Sequence, residues 1–172
     1  MLTLGLRPTS GGARETSLCA AAEVGDPVHI MPWSLRRLEP ALGPGHVLVV
    51  ENPSVLEAFA VRHGGRFPVV CTSGWPAQIA VDLLHGLGAP LRYHGDFDWR
   101  GVEICSWLQE QAGVVPWRMT EQDYLAAPGG GPLEGRAAPT PWEPSLADAM
   151  AERGVAVHEE QMVGSLLDGW TA

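Results

Sequence analysis

Between His46 and Met119 the chain alternates short β-branched apolar runs with helical runs closed by glycine. HVLVVEN (46–52) predicts a buried strand, because a continuous apolar run of that length suits a sheet covered on both faces. Pro53 fits the first position of a helix, and SVLEAFAVRHGG follows with helical spacing and a glycine stop. FPVVCTSG (67–74) and APLRYHGDFD (89–98) predict a second and third strand, each followed by a helical run: WPAQIAVDLLHGLG (75–88), then WRGVEICSWLQEQAG (99–113). VVPWRM (114–119) predicts a fourth strand, with Thr120 capping a helix over EQDYLAA. A β-α-β-α-β-α-β order implies an α/β fold, with a parallel four-stranded sheet and helices on both faces.

The flanks are less regular. Residues 13–24 predict a helix ended by Gly25-Asp26-Pro27, VHI (28–30) is a short apolar piece, and Ser34 caps a short helix through Leu38 that Pro40 stops. No residue before 28 has a clear hydrophobic partner. Residues 1–27 are therefore expected to be a lead-in segment, the tail of a further N-terminal region, with the domain spanning 28–172. Residues 127–145 are Gly/Pro-rich and predict a long surface loop. SLADAMAERG and HEEQMVGSLLDGW predict two closing helices.

Composition narrows the chemistry. The 172 residues suit one domain. No run reaches the roughly 18 apolar residues of a membrane helix, and the N-terminus lacks a signal-peptide pattern. Three widely spaced cysteines, Cys19, Cys71 and Cys105, form no zinc or disulfide pattern, so a reducing cytoplasm is expected. All eleven basic residues are arginine, which excludes any mechanism that needs lysine. The net charge is -9: residues 1–118 carry nine Arg and eleven acids, residues 119–172 two Arg and nine acids. That balance argues against a free-standing nucleic-acid binder, and the acidic C-terminal third reads as a solvated face.

The strand ends carry the chemistry. In a doubly wound sheet, ligands sit outside the carboxyl ends of the strands. Glu51 ends the first predicted strand, and Asp96 and Asp98, in HGDFDWRG, end the third. On neighbouring strands those ends lie about 5 Å apart. Clustered carboxylates repel, and a hard cation removes the repulsion. Mg²⁺ or Mn²⁺ with a phosphate substrate fits, since Mg²⁺ is often held by few carboxylates plus phosphate oxygens. Asp98 has a second reading as the N-cap of the helix starting at Trp99 or Arg100. His94 reads as a core histidine or a flank of the site, and Trp99 as a packing residue or a lip.

VVEN, TSG and HGDFDWRG resemble the landmarks of the Toprim domain: a Glu after one strand, a glycine turn after the next, and a DxD after the third. YHGDFDWRGVEI is similar to the DxDxxG stretch of the topoisomerase VI A subunit. ENPSVLEA, VCTSGWP, LRYHGDFDWRG, PWRM and VHEEQ together resemble the C-terminal Toprim domain of Wadjet-type JetD proteins, over roughly residue 28 to the C-terminus. The resemblance implies a metal-dependent DNA endonuclease domain that works with SMC-like subunits in plasmid defence. It implies metal positions at Glu51, Asp96 and Asp98, with Glu51 also a general acid/base and Gly74 as the turn glycine. Double-stranded DNA would be reached through the full-length protein or complex, a homodimer is a further partner, and the isolated chain is expected to be weak or inactive. Glu159 and Glu160 read either as an exposed first helical turn, where acids complement the dipole, or as an extra ligand of a two-metal site.

The chain departs from the topoisomerase relatives. Tyr93 falls inside a strand and Tyr124 on a later helix, so neither has the setting of a DNA-attacking tyrosine; hydrolysis by water is the better fit. A haloacid-dehalogenase-like phosphohydrolase also uses DxD, but after its first strand and with a lysine that is missing here. A non-catalytic Toprim module for dimerisation or docking is the alternative that is not an enzyme.

Overall fold

A computed structural model describes residues 1–170; the domain end expected at 172 lies outside the described residues. Six strands and eight α-helices run in the order β1 (Leu2–Leu4), α1 (Ala13–Val24), β2 (Val28–His29), α2 (Pro32–Leu35), β3 (Val47–Val50), α3 (Pro53–His63), β4 (Val69–Cys71), α4 (Gln78–Gly86), β5 (Leu91–Tyr93), α5 (Trp99–Ala112), β6 (Val115–Pro116), α6 (Glu121–Ala126), α7 (Pro144–Arg153) and α8 (Val163–Gly169). A 3-10 turn, Glu159–Met162, leads into α8.

The expected four-stranded parallel sheet is corrected to a mixed sheet of six, ordered β2-β1-β4-β3-β5-β6. The four strands expected from the alternation are parallel: β3 pairs with β4 and β5, and β5 with β6. The other two extend the β4 edge, β1 antiparallel to β4 and β2 antiparallel to β1. The view that no residue before 28 has an apolar partner is corrected with it. Leu4 and Leu6 are buried against the core, and Thr3, also buried, bonds the Val28 carbonyl at 3.1 Å. A three-residue strand is too short to show a period of two, so LTL carried no legible signal.

β3 is central, and all four of its residues are fully buried, which accounts for its unbroken apolar run. From β3 the chain crosses to β4 on one side, then to β5 on the other. Right-handed crossovers place α3 on one face and α4 and α5 on the opposite one. The packing agrees: α3 contacts α8, and α4 contacts α5. This reversal makes the carboxyl ends of β3 and β5 a topological switch point.

Several boundaries differ from the sequence expectation. β5 stops at Tyr93, so both acids of the DxD lie in a loop beyond the ladder. After His94 N–H bonds the Val49 carbonyl, the loop leaves the sheet and pairs at Phe97 with Val157. The expected helix over 158–170 splits into the 3-10 turn and α8; at its start the Gln161 side chain accepts from His158 N–H at 2.8 Å, and Glu159 turns inward onto the Asn52 N–H. α2 opens on Pro32 rather than being capped by Ser34, a proline being pre-set for the first turn. The 127–145 segment has no regular structure before Pro144 but is not free of the body. Gly130 and Pro132 pair with Ala156 and Val155, and Ala138 and Thr140 are buried.

Candidate functional site

Glu51 is the first residue after β3, and Asp96 and Asp98 follow β5, its parallel neighbour. Glu51, Asn52, Pro53, Ser73, Gly74 and Asp96 line an open cleft of about 290 Å³. Its far wall is the turn after β4, where Ser73 and Gly74 both take positive φ, 58° and 87°. Gly74 thus occupies the expected turn, and its lack of a Cβ is what that conformation requires.

Two further glycines, Gly95 and Gly101, flank the DxD loop. A Cβ at Gly95 would collide with the Glu51 carboxylate and the Tyr93 hydroxyl. A Cβ at Gly101 would run into the Asp96 carbonyl, so only glycine lets the first turn of α5 close onto the DxD backbone. Asp98 Oδ1 accepts from Gly101 N–H at 2.7 Å and caps α5. The capping reading of Asp98 is therefore met in full.

Burial pushes the Glu51 carboxyl up to about 7, the Asp96 and Asp98 charges add to that, and a hydrogen bond from the Tyr93 hydroxyl opposes it. Burial also raises Asp96, aided by Asp98; the Glu159 N–H, at 2.6 Å from Asp96 Oδ1, works the other way. His158 Nδ1 stands 3.5 Å from Asp96 Oδ2, and among the described residues it is the one basic side chain in ion-pair contact with these acids.

Glu159 and Glu160 part company. Glu160 is exposed, as a first-turn acid would be, and one of its oxygens accepts from Asn52 Nδ2. Glu159 is fully buried, which corrects the exposed-turn expectation for it. Its carboxylate accepts from Asn52 N–H at 2.7 Å and Glu51 N–H at 3.1 Å, and burial raises its proton affinity well above the ordinary range. The segment carrying it is tied to the DxD loop by two backbone bonds between Phe97 and Val157, at 2.9 and 3.2 Å.

His94 is a core histidine. It is fully buried, Nδ1 lies 3.1 Å from the Trp117 carbonyl, and Nε2 has no partner. Burial drives its pKa down to about 4, so the ring stays neutral. Trp99 is buried and packs into the core rather than forming a lip. Sequence reasoning missed Tyr93, Asn52 and His158. Asn52 was legible, since an Asn before a proline-led helix is a capping signal, and its side chain does accept from Ser54 N–H at 2.9 Å. Tyr93 and His158 carried no signal, because their roles arise from neighbours 42 and 62 residues away in sequence: Glu51 and Asp96 respectively.

Among the described residues, no three His, Cys, Asp or Glu side chains form a ready-made coordinating cluster. Asp98 and Glu159 accept from backbone amides, while Glu51 and Asp96, which also accept from the Tyr93 hydroxyl and the Glu159 N–H, are the acids that line the cleft. Two carboxylates with all-oxygen chemistry and little basic counter-charge still fit a hard divalent cation, which often keeps several waters and adds a substrate phosphate.

No helix among the described residues is long and apolar enough to cross a membrane. No curated protein matches the chain. Residues 28–169 match the family described as "protein of unknown function C-terminus" (DUF2399), and since that span covers most of the sequence, the chain belongs to the DUF2399 family.

Proposed function

We propose that this chain is a Toprim-like domain that hydrolyses DNA phosphodiester bonds with Mg²⁺ or Mn²⁺, as the nuclease part of a plasmid-defence system with SMC-like subunits. The observation that carries the reading is Glu51 and Asp96 meeting in one cleft at the carboxyl edge of the neighbouring strands β3 and β5. The resemblance of HGDFDWRG to the Toprim DxD supplies the substrate class.

Glu51 and Asp96 would hold the cation, with Asp98 supplying its uncapped oxygen. When bound, such an ion polarises the phosphodiester and lowers the pKa of a bound water. The chain's own contribution centres on Glu51. Without a cation, burial and the neighbouring acids push its carboxyl up to about 7, within reach of the proton exchange a general acid/base needs, and a bound cation would lower that value. The Tyr93 hydroxyl holds one of its oxygens in place. Cytoplasmic work inside a larger protein or complex is part of the proposal, since an acidic chain needs the DNA grip of other segments.

A second reading, a non-catalytic docking or dimerisation module, is favoured by one observation: Asp98 and Glu159 both serve backbone amides. Plasmid cleavage with Mg²⁺ or Mn²⁺ separates the two, using the complete protein or complex that contains this chain. Nicking or linearisation by wild type and its loss in Glu51→Gln supports the nuclease. Equal metal-dependent cutting by the variant sinks it, and no cutting by wild type favours the docking module.

A further inference from the structure

Glu159 sits on the 155–160 segment, distant in sequence from both acid loops, and touches both at once. Its carboxylate accepts from the two N–H groups at the β3–α3 corner, Asn52 at 2.7 Å and Glu51 at 3.1 Å. Its own N–H donates to Asp96 Oδ1 at 2.6 Å. The neighbouring residues repeat the pattern. Glu160 accepts from Asn52 Nδ2, His158 stands 3.5 Å from Asp96 Oδ2, and Val157 pairs with Phe97.

Without the Glu159 carboxylate the Glu51 and Asn52 N–H groups, at a half-buried corner bordering the cleft, would lose their protein partner and be left to water. The β3–α3 corner would then be held to this segment only by the exposed Glu160–Asn52 side-chain contact. The spacing of Glu51 and Asp96 would rest more heavily on the β3–β5 ladder, which ends at Val49 and Tyr93, before either acid, and on the Tyr93 hydroxyl's bond to Glu51.

We propose that Glu159 is a positioning residue: it clamps the Glu51 and Asp96 loops together by accepting from one and donating to the other, and it does not itself hold the cation. The role rests on the reading of Glu51 and Asp96 as the cation-binding pair, but the clamp has a signature that needs no metal. A glutamine at 159 keeps an acceptor oxygen for the corner amides and keeps the backbone N–H for Asp96. An alanine keeps only the latter. A cation ligand would behave differently, since glutamine loses the charge that a metal uses.

Two measurements on the full chain test this in wild type, Glu159→Gln, Glu159→Ala and Glu51→Gln. The first is amide hydrogen exchange at Glu51 and Asn52 without metal. Exchange at both should rise at least about tenfold in Glu159→Ala and stay within about threefold of wild type in Glu159→Gln. If the alanine variant does not fold, the glutamine variant carries the test. The second is Mn²⁺ affinity by titration calorimetry, expected to fall at least about tenfold in Glu51→Gln and less than about threefold in Glu159→Gln. Unchanged exchange in Glu159→Ala overturns the clamp. So does a loss of Mn²⁺ affinity in Glu159→Gln equal to that of Glu51→Gln with both amides still protected, which would make Glu159 a ligand. Failure of wild type to bind Mn²⁺ removes the cation reading, while the exchange data still decide whether the clamp exists.

Discussion

At neutral pH the Glu51 carboxyl stands midway between its two forms, because burial first, and then the charges of Asp96 and Asp98, push it up to about 7 from 4.5. Between those values the native chain keeps a proton that the unfolded chain has lost, so the unfolded state binds fewer protons and stability falls as pH rises from 4.5 to 7. His94 has the opposite sign. Its folded pKa is about 4 against 6.5, so the unfolded chain binds more protons across that window and stability rises with pH. The two effects oppose each other in the raw curve, and a difference curve separates them. Urea unfolding of wild type and Glu51→Gln from pH 4.5 to 7.5 should show the variant gaining, relative to wild type, on the order of 1–3 kcal/mol by the upper end. Parallel curves would mean that Glu51 is not held in a buried, acid-rich setting. At this scale the acids were legible in the sequence, as strand-end residues in a regular alternation. The groups that tune them were not. Tyr93 and His158 reach Glu51 and Asp96 only once distant segments have packed.

Among the elements, α5 shows how one residue can satisfy two readings. Asp98 was read from the sequence both as a cation ligand and as a helix cap, and the cap is formed: Oδ1 accepts from Gly101 N–H at 2.7 Å at the head of a 14-residue helix. The other carboxylate oxygen makes no hydrogen bond to a described group. Asp98→Ala is therefore not a clean test of catalysis, since losing such a cap costs about 1 kcal/mol. Asp98→Asn keeps an acceptor oxygen for the cap and removes the charge. Thermal unfolding should place Asp98→Asn near wild type and Asp98→Ala lower by a few degrees, while cleavage by the complete assembly should drop in both. Cleavage retained by Asp98→Asn would show that the cap is the residue's whole role. Helix starts and stops were well marked along this stretch, by Pro53, Thr120, Gly64 and Gly113. The strands were overestimated. β5 and β6 are two or three residues long because their apolar runs continue into loops that pack against the core without joining the ladder.

For the molecule as a whole, the parallel centre of the sheet was readable and its edge was not, since β1 and β2 are too short to show alternation and are recruited by β4 and by each other. The closing of the site by residues 155–160 was equally hidden, being a long-range pairing with Phe97. Charge is the property that local sequence does report, and it sets the last expectation. Affinity for duplex DNA comes largely from counterions released when Lys or Arg neutralise phosphates. This chain carries eleven arginines against twenty acids, and the two acids that line the cleft, Glu51 and Asp96, add repulsion where a phosphate would have to enter. A divalent cation offsets part of that locally and does nothing for the rest of the surface. Fluorescence anisotropy of a labelled duplex titrated with this chain, at about 150 mM salt, should therefore give a dissociation constant weaker than roughly 10⁻⁴ M, the upper end of ordinary non-specific binding. Repeating the titration at lower salt should tighten it only slightly, because few phosphates are neutralised and the slope scales with their number. Micromolar binding with a steep salt dependence would show that the arginines form a continuous basic track despite the net charge of -9, and that the DNA grip lies in this domain rather than elsewhere in the assembly.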